Sequence, residues 1–173
     1  RHFKAIADSI SIPVVLYNVP SRTNLNINPE THKRLSAISN IVAVKECNLG
    51  QVAYTRYLCG DDLIIYSGED GLVVPLMALG GMGVISVMAN IIPKDTHIMA
   101  KAFLDGDIEL SRKLQIKTIN LVNALFCEVN PIPVKAAMNE MGLNVGKCRM
   151  PLVDISEKNL ETLRAALKEY GLI

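Results

Sequence analysis

Four short apolar runs punctuate the first half of this chain, and they constrain its fold more than any other feature. They are Val14-Val15-Leu16-Tyr17, Ile41-Val42-Ala43-Val44-Lys45, Leu63-Ile64-Ile65-Tyr66-Ser67 and Val84-Ile85-Ser86-Val87. Apolar and polar residues do not alternate along them. Nearly continuous runs of this kind read as strands buried on both faces of a parallel sheet. They start at 14, 41, 63 and 84, so they lie 27, 22 and 21 residues apart. Each gap holds a turn, a helix and a second turn, as a parallel crossover requires.

The intervening segments carry helical signals. Residues 1–8 place Phe3, Ile6 and Ala7 on one side, so the chain opens at Arg1 already inside a helical pattern. Asn28-Pro29-Glu30 is a helix start, a capping Asn followed by Pro at the first helical position, with Leu35 and Ile38 on the inner face. Further helices are expected over 51–59 and 70–79, and the Pro20 loop between the first two strands is expected to be stiff. After Asn90 the strand pattern stops and helices are expected over 96–104, 107–126, 133–141 and 157–170. A capping box joins Asp154 to Glu157. The chain is thus expected to be a parallel α/β layer over residues 1–92 followed by an α-helical domain over residues 93–173.

Composition narrows the function classes. With 18 Lys and Arg against 17 Asp and Glu, the net charge of +1 gives no electrostatic footprint for nucleic acid or anionic membranes. Residues 71–93 hold no charged side chain, but Pro75, Gly80, Gly81 and Gly83 break the stretch, so a buried helix–turn–strand is expected rather than a membrane span. The four cysteines lack metal or disulfide spacing and read as reduced, mostly buried thiols of a cytoplasmic protein. His2, His32 and His97 are isolated on expected helix surfaces or at the chain start, so no metal and no cofactor is assigned. Gly80-Gly81-Met82-Gly83 precedes a strand instead of following one. It is read as a tight turn and not as a phosphate loop.

In parallel α/β folds chemistry collects at the carboxyl ends of the strands. There Lys45 stands directly after Ile-Val-Ala-Val. Desolvation favours a neutral amine, which can attack a carbonyl; the alternative is a lysine snorkelling outward or paired with Glu46 or Glu69. Tyr17 ends the preceding strand as either a proton relay or a satisfied core aromatic. Arg22 follows in the loop, able to clamp a carboxylate or simply to be solvated.

The segment Tyr17-Asn18-Val19-Pro20-Ser21-Arg22-Thr23, with Lys45 in Val44-Lys45-Glu46 28 residues after the tyrosine, resembles the dihydrodipicolinate synthase family. That family lies within the wider N-acetylneuraminate-lyase-like group of Schiff-base aldolases. Ser67-Gly68-Glu69-Asp70, the 80–87 segment with Ala89-Asn90, and Asn130-Pro131-Ile132-Pro133-Val134-Lys135 follow in the family's order. The resemblance implies a (β/α)₈ barrel represented by strands five to eight, then a helical domain. It also implies condensation of pyruvate with aspartate semialdehyde in the diaminopimelate route to lysine. Lys45 is then the Schiff-base lysine and Tyr17 the proton relay. Arg22 holds the semialdehyde carboxylate, and the backbone of Gly68 and Ile85 lines the pyruvate site.

The family's paired threonines and a second tyrosine from a neighbouring subunit belong to strands one to four. The expectation is a chain without that N-terminal half, inactive by itself and leaving open sheet edges and one uncovered sheet face. Its partners would be a homotetramer's other copies or the N-terminal half. Two alternatives stand beside this: another pyruvate-dependent class I aldolase of the same group, and a non-catalytic half-barrel that only binds.

Overall fold

A computed structural model describes residues 1–173 as two compact units, Arg1–Ile85 and Ser86–Ile173. In the first unit α1 (His2–Asp8), β1 (Val14–Asn18), α2 (Pro20–Thr23), α3 (Pro29–Ser36), β2 (Ile41–Glu46), α4 (Val52–Cys59), β3 (Ile64–Ser67) and α5 (Val73–Ala78) follow one another. The strands form a parallel sheet in the order β1-β2-β3. The register aligns Leu16, Val44 and Ile65 in one row, Tyr17, Lys45 and Tyr66 in the next, and Asn18, Glu46 and Ser67 in the third.

Because side chains alternate along a strand, these rows fall on opposite faces. Leu16, Val44 and Ile65 are buried and join Ala7, Ile41, Val52, Cys59, Leu63 and Leu76 in one core under the helices. The other face is largely open: Val15 is 47% exposed, Tyr17 51% and Ile64 37%, with Ala43 buried between Val15 and Ile64. The runs therefore differ from the reading of their composition, strands buried on both sides, and match the uncovered sheet face expected from the family resemblance.

The fourth run forms no strand. Val84 makes one isolated bridge to Ser67. Met82 N–H donates to Ile65 O, Ser67 N–H to Gly83 O, and Ile85 N–H to Ser67 O. The chain then leaves the sheet for a 3₁₀ turn at Met88–Asn90, where Ala89 N–H donates to Ser86 Oγ. Gly80 enters this segment at φ 95°, the left-handed conformation that ends α5, in keeping with the tight turn expected there.

Several local expectations needed correction. Asn28 and Pro29 do open α3, but Asn28 Oδ1 accepts from Asn26 Nδ2 instead of capping the helix. His32 is not at the surface: it is fully buried, and neither ring nitrogen has a hydrogen-bond partner. It lies three residues before Leu35, so helical spacing puts it on the same inward stripe. The Pro20 loop proves to be the short helix α2, with Pro20 at its first position and left-handed Asn24 (φ 54°) after its end. Of the cysteines, only Cys59 is buried; Cys47, Cys127 and Cys148 are partly exposed.

The second unit comprises α6 (Pro93–Leu104), α7 (Ile108–Leu125), α8 (Ile132–Glu140) and α9 (Glu157–Tyr170). Asp107 caps α7 by accepting from Leu110 N–H. Met99, Leu121, Leu125, Leu163 and Leu167 are buried within it. Helix α9 begins with Ser156 as its cap, not Asp154, whose side chain is ion-paired with Lys147. Ser156 instead donates through both N–H and Oγ to Glu128. No helix is long and apolar enough to cross a membrane.

Candidate active site

The row Tyr17, Lys45, Tyr66 crosses the uncovered face close to the carboxyl end of each strand. Lys45 is half-buried, and its Nζ sits 4.4 Å from the centroid of the Tyr17 ring. An ammonium over an aromatic face gains roughly 0.5–2 kcal/mol, the more so as water is excluded. No carboxylate forms an ion pair with Lys45. Glu46 points to the opposite face, and the pairing with Glu46 or Glu69 weighed from the sequence does not occur.

Burial is the largest cause raising the Tyr17 phenol above its ordinary value; Cys47 and Glu69 push it the same way, while Arg22 opposes them. The Cys47 thiol is pushed up to about 11, first by burial and then by Glu69, with Lys45 acting in the opposite direction. A thiol so far above neutral pH stays protonated and is a poor nucleophile. That sets the thiol aside as a nucleophile and leaves the Lys45 amine as the candidate on this face.

Gly68 closes one side of the site. Its N–H donates to Glu46 O. A Cβ at this position would lie 2.3 Å from Cys47 Sγ, 3.2 Å from Lys45 Cγ and 3.3 Å from Lys45 Cε, so only glycine lets the chain pass the lysine stem. Ile85 joins through Ser67, the neighbour of Gly68, and its own N–H is engaged there. Arg22 lies exposed on α2, the element directly after Tyr17 and Asn18.

Two residues beside these carried little sequence signal. Glu46 is 1% exposed, yet its carboxylate faces no cation. It accepts from Asn18 Nδ2 at 2.8 Å, Asn48 N–H at 2.7 Å and Gln51 Nε2 at 2.8 Å. Burial raises its pKa, and these same hydrogen bonds act against that rise. Cys47 was read only as a structural thiol, although it borders Tyr17, Glu69 and Gly68. A polar residue whose partners lie far along the chain leaves no periodic trace in the sequence. A glutamate ending a run of Ile, Val and Ala was the one available hint.

No group of three or more His, Cys, Asp or Glu side chains is arranged to hold a metal ion. What the arrangement offers is an amine on an open sheet face, an aromatic hydroxyl next to it, and a guanidinium one short helix away.

Comparison with known proteins agrees along the whole chain. The model of the dihydrodipicolinate synthetase family matches residues 1–170. A 4-hydroxy-tetrahydrodipicolinate synthase of Acetivibrio thermocellus is 64% identical over 173 residues, covering 100% of this chain and 59% of that relative. The crystal structure of a dihydrodipicolinate synthase from Thermotoga maritima superimposes with TM-score 0.95 at 42% identity, over 99% of this chain and 60% of that one. A chloride-inhibited dihydrodipicolinate synthase from Acinetobacter baumannii, solved in complex with pyruvate, gives TM-score 0.95 at 41% identity, again over 99% and 60%. The chain thus spans about three-fifths of the length of the proteins it matches. An α/β chain with a parallel sheet, matched from residue 1 to residue 170, belongs to the dihydrodipicolinate synthetase family.

Proposed function

We propose that these residues carry the Schiff-base chemistry of a 4-hydroxy-tetrahydrodipicolinate synthase, condensing pyruvate with aspartate semialdehyde. The observation that carries this reading is Lys45 Nζ held 4.4 Å over the Tyr17 ring on an open sheet face, in a family with a pyruvate complex among its solved members. Once it has given up its proton, the Lys45 amine adds to the C2 carbonyl of pyruvate, and the carbinolamine loses water to give an imine. Loss of a methyl proton gives the enamine, whose carbon attacks the aldehyde. Tyr17 moves protons to and from these species, since its phenol stays protonated at neutral pH. Arg22 holds the semialdehyde carboxylate through its planar guanidinium. The backbone of Gly68 and Ile85 borders the pyruvate.

We further infer that β1, β2, β3 and the Val84 bridge correspond to strands five to eight of a (β/α)₈ barrel. The helical domain then begins at 93, where α6 starts. The protein is read as cytoplasmic and as a tetramer in its complete assembly. General acid–base steps contribute roughly 10²–10⁴-fold, so turnover depends on relay hydroxyls beyond Tyr17, and imine formation is the step to measure on this chain.

Borohydride reduction in the presence of pyruvate, followed by peptide mapping, tests the reading. A reduced pyruvate adduct on Lys45, absent from Lys45→Ala, is expected; an unmodified Lys45 overturns it. The acceptor is tested through Arg22→Ala in the complete assembly, which should raise the KM for aspartate semialdehyde. An unchanged KM would reassign the acceptor to another aldehyde.

A further inference from the structure

The residues after Tyr17 and Lys45 are Asn18 and Glu46, which form a buried row with Ser67 directly behind the reactive one. Around Glu46 the hydrogen bonds form a closed circuit with a single polarity. Ile27 N–H, a donor only, fixes Asn18 Oδ1 as acceptor at 2.9 Å. Asn18 Nδ2 must then face Glu46 Oε1 and Asn26 Oδ1. That leaves Asn26 Nδ2 to donate to Gln51 Oε1 at 2.8 Å. Gln51 Nε2 in turn points at Glu46 Oε2 and at Ile27 O, an acceptor only. Both ends of the circuit rest on the backbone of Ile27, so no amide in it can turn over without losing a bond. Every group aimed at Glu46 is therefore a donor: Asn18 Nδ2, Asn48 N–H and Gln51 Nε2. An ionised carboxylate accepts all three and has no proton of its own to place among them.

The same circuit ties the end of β2 to the end of β1 and to residues 26–27, the segment that follows Arg22 and α2. Backbone bonds extend it: Cys47 N–H donates to Asn18 O at 3.0 Å and Gly68 N–H to Glu46 O at 2.8 Å. We propose that Glu46 is a positioning residue, whose buried carboxylate sets the Lys45 amine against Tyr17 by locking the β1 and β2 ends and the segment beyond Arg22 into one hydrogen-bonded frame. The proposal rests on the Schiff-base reading and deepens it. It acts through geometry, because Glu46 and Lys45 stand on opposite faces of the strand.

The test uses Glu46→Gln in the purified chain. An amide in place of the carboxylate sets one N–H₂ group against a donor that cannot turn. Displacing a reacting group by about 1 Å costs about 10²-fold, so borohydride-trapped adduct should form roughly 10- to 100-fold more slowly. The pyruvate concentration for half-maximal trapping should stay within about threefold, because no substrate contact is removed. Glu46→Asp, still an acceptor only, should recover part of the rate. If Glu46→Gln fails to fold, Asn26→Ala breaks the circuit at its half-buried outer member and should slow trapping in the same direction by less.

Wild-type trapping rates in a folded Glu46→Gln, or in Asn26→Ala where the first does not fold, overturn the proposal while leaving the Schiff-base reading intact. So does a loss confined to pyruvate affinity. If the wild-type chain traps no pyruvate, the Schiff-base reading fails. The carbon resonance of reductively ¹³C-methylated Lys45 then decides for Glu46 alone. A shift between wild type and Glu46→Gln retains its positioning role, and identical spectra remove it.

Discussion

Gly68→Ala is the sharpest single perturbation of the candidate site. The added methyl would meet Cys47 Sγ at 2.3 Å, against an ordinary contact of about 3.5–4 Å, so something must move by more than about 1 Å. The Lys45 contacts, at 3.2 and 3.3 Å, are each short by only a few tenths of an ångström, and a long stem can yield that much. Cysteine has a single side-chain torsion, so relief at Cys47 requires a different rotamer or a backbone shift. Overpacking of this kind costs about 1–3 kcal/mol. The expected result is a loss of that size in urea unfolding, with slower pyruvate trapping at Lys45. Cys47→Ala removes the obstructing sulfur from a half-buried site and should cost under about 1.5 kcal/mol alone. Combined with Gly68→Ala it should restore most of the loss, a coupling of at least about 1 kcal/mol between residues in contact. Strict additivity in the four-variant cycle would refute the close approach of Gly68 and Cys47.

Other outcomes follow from the buried groups. His32 has its pKa lowered to about 4 by burial, from an ordinary 6.5. The unfolded chain thus takes up a proton that the folded chain refuses. Its contribution is fully present above pH 6.5 and declines as pH falls to 4, by about 3 kcal/mol over that window. Urea midpoints of wild type and His32→Leu across pH 4–7 check this; a wild-type curve parallel to the variant's would contradict it. Leu63→Ala, at a position 0% exposed in the first unit's core, should cost about 2–5 kcal/mol in the same assay. A cost below about 1 kcal/mol would mean that Leu63 is not held in a packed core.

The strands and most helices were legible because burial repeats along the chain. Leu16, Val44 and Ile65 each belong to an apolar run, and Asn28-Pro29 marks the start of α3 without any tertiary information. Lys45, Tyr17 and Arg22 were found because the ends of such runs are where parallel sheets present polar groups. The remainder depended on partners distant in sequence. Glu46 is satisfied by Asn18, 28 positions away, and Gln51 reaches Ile27 across 24. Val84–Val87 has strand composition, but continued pairing requires the chain to stay in the sheet, and the turn after Ser86 takes it away. His32 shows the converse: expected on a helix surface, it lies three residues before Leu35 and so on the buried side of α3.

The adjacency of Lys45 and Glu46 on β2 has a consequence for how this sequence can change. Because alternate residues face opposite ways, a shift of β2 by one position would drive the ammonium into the core and turn the carboxylate out into solvent. Neither arrangement has partners there, so both errors arise together and reinforce one another. Deleting one residue between Ser36 and Ile41, or between Glu46 and Val52, forces that choice upon the strand. The Gly60–Asp62 turn is a better place for a change of length, because the chain there can lengthen without moving β2 against its neighbours.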